Sequence, residues 1–153
     1  MRTTRTSPVG QAVIKHYESL RLRAYPDPAT GAAPWTIGYG HIRNVRPGDT
    51  CNEAQADAWL VQDLMDCEFT LNKLITWPIT QGQFDALASL MFNIGPASFT
   101  PDATKGDFDD YIQSGNLAEI RSRIATFRMA NGKVMSGLQK RRRAEQALWD
   151  GLS

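Results

Sequence analysis

Hydrophobic positions along the chain change period several times. After Ser7-Pro8, which reads as an N-cap followed by proline at the first helical position, Val9, Val13, Ile14, Tyr17 and Leu20 recur at helical spacing. They predict a first helix with Glu18 in its last turns. From Leu22 to Ile42 the pattern breaks into short apolar and aromatic pieces separated by Pro, Gly and Asp, predicting a small antiparallel sheet with one extended turn flanked by Asp27 and Thr36. Thr50-Cys51-Asn52-Glu53 reads as a capping box, and Ala54, Ala58, Val61, Leu64, Met65 and Phe69 carry a long helix toward Ile75. Trp77-Pro78 interrupts it. Thr80-Gln81-Gly82-Gln83 opens another helix, with Phe84, Leu87, Ala88 and Met91 on one face and Gly95-Pro96 at its end. Leu117, Ile120, Ile124 and Phe127 mark a further helix, and Leu138, Glu145, Leu148 and Trp149 the last, with Asn131-Gly132-Lys133 between them. No internal repeat, low-complexity tract or long linker separates independent domains, so residues 1–153 read as one domain.

The length and the 42% apolar content suit a globule with a substantial core, split at most into two lobes. Seventeen basic residues against sixteen acidic ones leave little net charge, so bulk electrostatics implies neither a nucleic-acid scaffold nor a polyanion trap. Cys51 and Cys67 form no C-x-x-C pair and no Cys/His cluster, which argues against a disulfide framework or a zinc site. His16 and His41 are far apart and lack a H-E-x-x-H pattern, so no metal is expected. Gly38-Tyr39-Gly40 lacks the third glycine of a dinucleotide loop, and no cofactor is expected either. The polar start, Met1 to Pro8, is followed by no apolar run of signal-peptide or membrane-span length. Lys140-Arg141-Arg142-Arg143 is the one dense basic run, and four charges do not distinguish a solvated helix face from a partner surface.

Glu18 and Asp27 are the carboxylates that matter most. Glycosidic bonds are commonly cleaved by two Asp/Glu residues, one protonated to release the leaving oxygen and one ionised to stabilise or direct attack at the anomeric carbon. Glu18 on a helix and Asp27 on a loop stiffened by Pro28 meet that need, since a following proline biases Asp27 toward an extended backbone. On spacing alone the commoner reading is structural, with Glu18 pairing to Arg21 or Arg23 and Asp27 forming a turn.

The surrounding residues shift that balance. Glu18, Asp27 and Thr36, the last within Trp35-Thr36-Ile37-Gly38-Tyr39-Gly40-His41, together resemble the acid, second carboxylate and threonine of the phage-type lysozymes, the endolysins that cut peptidoglycan. The resemblance continues through Phe92-Asn93-Ile94-Gly95, Gly132-Lys133, Gly137-Leu138 and the arginine run ending in Ala144-Glu145. It covers the chain from about Ser7 to Gly151. It implies an α+β, mainly helical, lysozyme-like fold: a small antiparallel sheet in an N-terminal lobe of about residues 1–75, joined by a long helix to a helical lobe of about residues 76–153. The first helix is expected to pack on the C-terminal lobe, with an active-site cleft between the lobes. One departure stands out. Asp27 and Thr36 are nine positions apart, where the family usually has a shorter turn, and the residues from 97 to 115 match the family poorly.

The resemblance also implies roles. Glu18 would protonate the leaving oxygen, Asp27 would stabilise developing positive charge or orient water, and Thr36 would help hold that water. Arg141 would reach the catalytic glutamate, with its neighbours as alternatives in register. His41 looks structural, with Asp63 as its expected partner. Ile42, Phe92 and Asn93 are the candidate sugar-binding residues, although Phe92 is equally explained by core packing. The expected function is an inverting muramidase acting on the β-1,4 bond between N-acetylmuramic acid and N-acetylglucosamine, with host cell lysis as its outcome. A lytic transglycosylase and a non-catalytic wall-binding module are the alternatives. The expected partner is peptidoglycan, with no nucleic acid and no stable membrane association. A monomer is expected to accumulate in the host cytoplasm and to reach the wall in the periplasm through a holin-like membrane-permeabilising protein.

Overall fold

The computed structural model describes residues 4–152. They group into two compact units, one of residues 4–13 and 67–152 and one of residues 14–66. The division falls inside the long helix, and residues 4–13 group with residues 67–152.

In the larger unit, helix α3 (Gln81–Ile94) is the centre of the core, since every residue from Phe84 to Met91 is buried. A helix enclosed on all faces needs a defined start, and Thr80 supplies it: its Oγ1 accepts from Gln83 N–H at 3.1 Å while the Gln83 side chain accepts from Thr80 N–H at 3.0 Å. Helix α6 (Ser136–Trp149) lies against α3 so closely that a methyl group on Gly82 would stand 2.2 Å from the Leu148 carbonyl oxygen. Around this pair Leu71, Phe99, Phe108, Ile112, Ile120 and Ile124 complete the core. Helix α1 (Pro8–Glu18) begins against the same unit. The Ser7 N–H donates to Asp85 at 2.9 Å, the Ser7 hydroxyl donates to the other Asp85 oxygen, and Gln81 Nε2 donates at 2.9 Å, so a carboxylate only 2% exposed is satisfied three times.

In the smaller unit, β1 (Arg21–Tyr25) pairs antiparallel with β2 (Thr36–Gly38), Arg21 opposite Gly38 and Tyr25 opposite Thr36. Five residues face three, so the ladder is bulged. A third segment closes the other edge of β1 through Ala24 N–H to Asp49 O and Cys51 N–H to Leu22 O, each 2.9 Å. Ile14, Ile37, Leu60 and Leu64 are buried beneath.

Helix α2 (Glu53–Leu74) has the expected extent but a different start and a different buried face. Its cap is Asn52, whose Oδ1 accepts from Gln55 N–H at 2.8 Å, while Thr50 lies two residues earlier, in a backbone bridge to Arg23. The buried stripe is Ala56, Leu60, Leu64 and Leu71, whereas Val61, Met65 and Phe69 are 43%, 46% and 67% exposed. Helix α5 (Leu117–Ile124) stops before Phe127, which packs edge-on against Phe108 instead. Two features have no counterpart in the sequence reading: the two-turn helix α4 (Phe108–Ser114), and a hairpin of β3 (Met129–Ala130) and β4 (Lys133–Val134) turning on Asn131 and Gly132 at φ 53° and 75°.

At the start of α4, Asp102, Asp107 and Asp109 bring their carboxylate oxygens within 4.8 Å of one another. A hydrogen bond to Asp109, reinforced by desolvation and by the charges of its acidic neighbours, pushes Asp107 up to about 6. The folded state therefore holds a proton that the unfolded chain has already released, and this contribution to stability falls as pH rises from about 4 to about 6 and stays lost above it. Asp107→Asn is expected to remove that decline. Thermal melts of the two proteins from pH 4 to 8 check it: the difference in Tm should move in favour of the variant across this window and then level off.

Candidate active site

Glu18 is the last residue of α1. Ser19 follows in the left-handed region at φ 63°, its N–H donating to Lys15 O at 3.0 Å, and this single residue turns the chain from helix into β1. Glu18 is half-buried at this corner.

Asp27 and Thr36 stand at the two ends of the hairpin loop. Thr36 opens β2 opposite Tyr25, and Asp27 follows Tyr25 by two residues. The additional loop residues fold onto themselves: Asp27 N–H donates to Ala32 O at 2.9 Å, and the N–H groups of Thr30 and Gly31 return to Asp27 O at 3.2 and 2.7 Å. Asp27 Oδ1 accepts from Ala29 N–H at 2.8 Å, an Asx turn. Asp27 is thus the turn former that spacing alone suggested, yet only one of its carboxylate oxygens is used so. Among the described residues, no protein partner meets the other oxygen or the Thr36 hydroxyl.

Beyond Thr36, Ile37 and His41 exchange both backbone hydrogen bonds at 2.9 Å around a tight turn. His41 is buried, its Nδ1 is 2.8 Å from Asp63 Oδ2, and its ring stacks on Trp59 at 4.6 Å between centroids and 4° between planes. Trp59 was not singled out in the sequence. The signal was its spacing of four from Asp63 on α2, which puts both side chains on one helix face. Tyr39 was likewise missed: it is buried, its phenol is pushed up by that burial, and the Lys15 ammonium lies 5.6 Å above its ring. Lys15 pairs with Asp57 at 2.8 Å, and that hydrogen bond raises its pKa. Ile42, the next residue after His41, is 57% exposed.

The remaining candidates belong to the other unit. Phe92 and Asn93, in the last turn of α3, are half-buried. Asn93 Oδ1 accepts from Arg142 Nη2 at 2.9 Å, which turns its amide N–H donors away from that contact. Arg141, assigned by resemblance to the catalytic glutamate, is buried, with Nε 3.4 Å from Glu145 Oε2 and Nη2 donating to Ser89 O at 3.2 Å. Arg142 meets Glu145 Oε1 at 2.6 Å. Burial pushes the Glu145 carboxyl up, against the opposing pull of Arg142, Ser89 and Arg141. The structure therefore gathers Glu18, Asp27, Thr36, His41, Ile42 and Asp63 within residues 14–66, and Phe92, Asn93 and Arg141 within residues 67–152.

Known proteins resemble this chain in sequence and fold. A family model described as "Phage lysozyme" matches residues 15–145. The endolysin of Acyrthosiphon pisum secondary endosymbiont phage 1 is 42% identical over 145 residues, covering 92% of this chain and 94% of its own. Some relatives are longer: the chain spans 53% of the endolysin of Bacillus phage B103. Among solved structures, the muramidase domain of SpmX from Asticaccaulis excentricus superimposes with a TM-score of 0.82 at 34% identity, over 95% of this chain and 97% of that one. An endolysin from Escherichia coli O157:H7 phage FAHEc1 also gives 0.82, at 32% identity over 97% and 94%. With a family match across most of its length and an α+β, mainly helical fold of lysozyme type, the chain belongs to the phage lysozyme family.

Proposed function

We propose that this phage-type lysozyme is a muramidase that hydrolyses the β-1,4 bond between N-acetylmuramic acid and N-acetylglucosamine in peptidoglycan. The observation that carries the reading is the hairpin loop: a carboxylate oxygen of Asp27 and the hydroxyl of Thr36, at its two ends, are both without a protein partner among the described residues and so open to water. Glu18, half-buried at the end of α1, donates a proton to the departing glycosidic oxygen. Asp27, ionised, faces the developing positive charge at the anomeric carbon. The Thr36 hydroxyl accepts a hydrogen bond from the attacking water and Asp27 accepts one from the same water, which makes inversion the expected outcome. Asn93 offers amide donors to an acetamido carbonyl, with Phe92 and Ile42 giving apolar contact to sugar faces.

The likeness to a solved muramidase domain supports the substrate class, and the endolysin relatives support a part in host lysis. No helix among the described residues is long and apolar enough to cross a membrane. In this reading a monomer made in the host cytoplasm reaches the wall after a holin-like protein opens the membrane.

Digestion of purified cell walls, followed by mass and anomer analysis of the first products, tests the reading. Hydrolysed reducing ends of α configuration are expected. Anhydro ends would make the chain a lytic transglycosylase, absence of cleavage would make it a binding module, and an initial β product would replace inversion by retention.

A further inference from the structure

We propose that the backbone of Gly40 positions the Glu18 carboxylate, with His41 as its anchor on α2; this rests on the reading of Glu18 as the catalytic acid. Gly40 has φ +81°, and a methyl group built on it would lie 3.2 Å from Glu18 Oε1 and 3.8 Å from Glu18 Cδ. The main chain therefore forms a wall beside the carboxylate, with no side chain there that can rotate away. The opposite side of the same turn is just as close to its neighbour, since a methyl group on Gly38 would stand 3.2 Å from the Ala56 Cβ of α2. Two glycines let one tight turn fit between a helix and a carboxylate.

The wall is held from behind. His41, the next residue, exchanges both backbone hydrogen bonds with Ile37, is 2.8 Å from Asp63 and stacks on Trp59. Gly40 cannot shift without disturbing that buried anchor. A general acid must stay within hydrogen-bond reach of the oxygen it protonates, and a misplacement of about 1 Å can cost on the order of a hundredfold in rate. Gly40 touches no substrate atom in this scheme. It acts through Glu18.

The test compares Gly40→Ala with Gly48→Ala. Gly48 has φ +87° and no atom within 4 Å of its added methyl group, so both variants carry the left-handed backbone strain and only one crowds Glu18. Both are expected to lower Tm by similar amounts. Gly40→Ala is expected to lower kcat roughly 10- to 100-fold with KM changed less than about twofold, while Gly48→Ala keeps wild-type kcat. Equal kcat values for the two variants would overturn the proposal. Should Gly40→Ala fail to fold, the wild-type protein still decides: the Gly40 amide resonance is expected to move on Glu18→Gln substitution, and an unmoved resonance would count against the contact. Full activity in Glu18→Gln would remove the acid and this proposal together, whereas an inactive Glu18→Gln beside a normal Gly40→Ala would remove the positioning role alone.

Discussion

Glu18→Gln is expected to lower kcat on purified cell walls by roughly a hundredfold or more, equivalent to about 2.7 kcal/mol of transition-state stabilisation, with little change in Tm. The substitution keeps the shape of the side chain and removes the proton that Glu18, in its proposed role, gives to the leaving oxygen. Its fold should survive because Glu18 is the final residue of α1, half-buried, and the helix is secured at its other end by the Ser7 and Asp85 contacts. Turnover on soluble glycan fragments and a melting curve on the same preparation separate the two effects. Near-normal turnover from a folded variant would take Glu18 out of the acid's role.

The second large effect concerns stability. Glu145 is fully buried and shares its carboxylate with the Ser89 hydroxyl at 2.6 Å, Arg142 at 2.6 Å and Arg141 at 3.4 Å. Glu145→Ala leaves two buried guanidiniums without this counter-charge, and breaking a buried ion pair from one side costs about 3–5 kcal/mol. Domains of this kind are stable by only about 5–15 kcal/mol, so a substantial unfolded fraction is expected at 37 °C. Urea denaturation measures the loss. A midpoint within experimental error of wild type would show that the cluster contributes nothing net.

Much of the helical frame was legible because it rests on local signals. Ser7-Pro8 and Thr80 to Gln83 each carry a cap and a start within a few residues, and α1 and α3 begin where those residues indicate. Glu18, Asp27 and Thr36 were singled out by resemblance, since spacing alone favoured a structural reading of the two carboxylates. What escaped was either too short or too ambiguous for periodicity. Helix α4 makes only two turns, and β3 and β4 have two residues each, so no repeat can build up. On α2, apolar residues lie on both sides, and Val61, Met65 and Phe69 have the same spacing as the stripe that is buried; only tertiary packing selects between them. The arginine run was opaque for a different reason. Arg141 and Arg142 are buried and meet Glu145, four and three residues on along the same helix, whereas charge counting treats all four basic residues alike.

The hairpin tip has a consequence for how such a chain diverges. Since Asp27 N–H meets Ala32 O and the Thr30 and Gly31 N–H groups return to Asp27 O, the tip is closed on its own backbone, while Thr36 is held by pairing with Tyr25 in the ladder. In the proposed mechanism, selection on bond cleavage acts at Asp27 and Thr36, and selection on what the tip touches acts on residues 28–34. The two meet at Asp27, whose N–H, carbonyl and Oδ1 are all held by residues 29–32, whereas Thr36 stands apart in the ladder. A tip of altered length must rebuild the contacts from residues 29–32 that hold Asp27 while leaving the Tyr25–Thr36 pair as it is, so variation there is constrained at one end of the loop and free at the other.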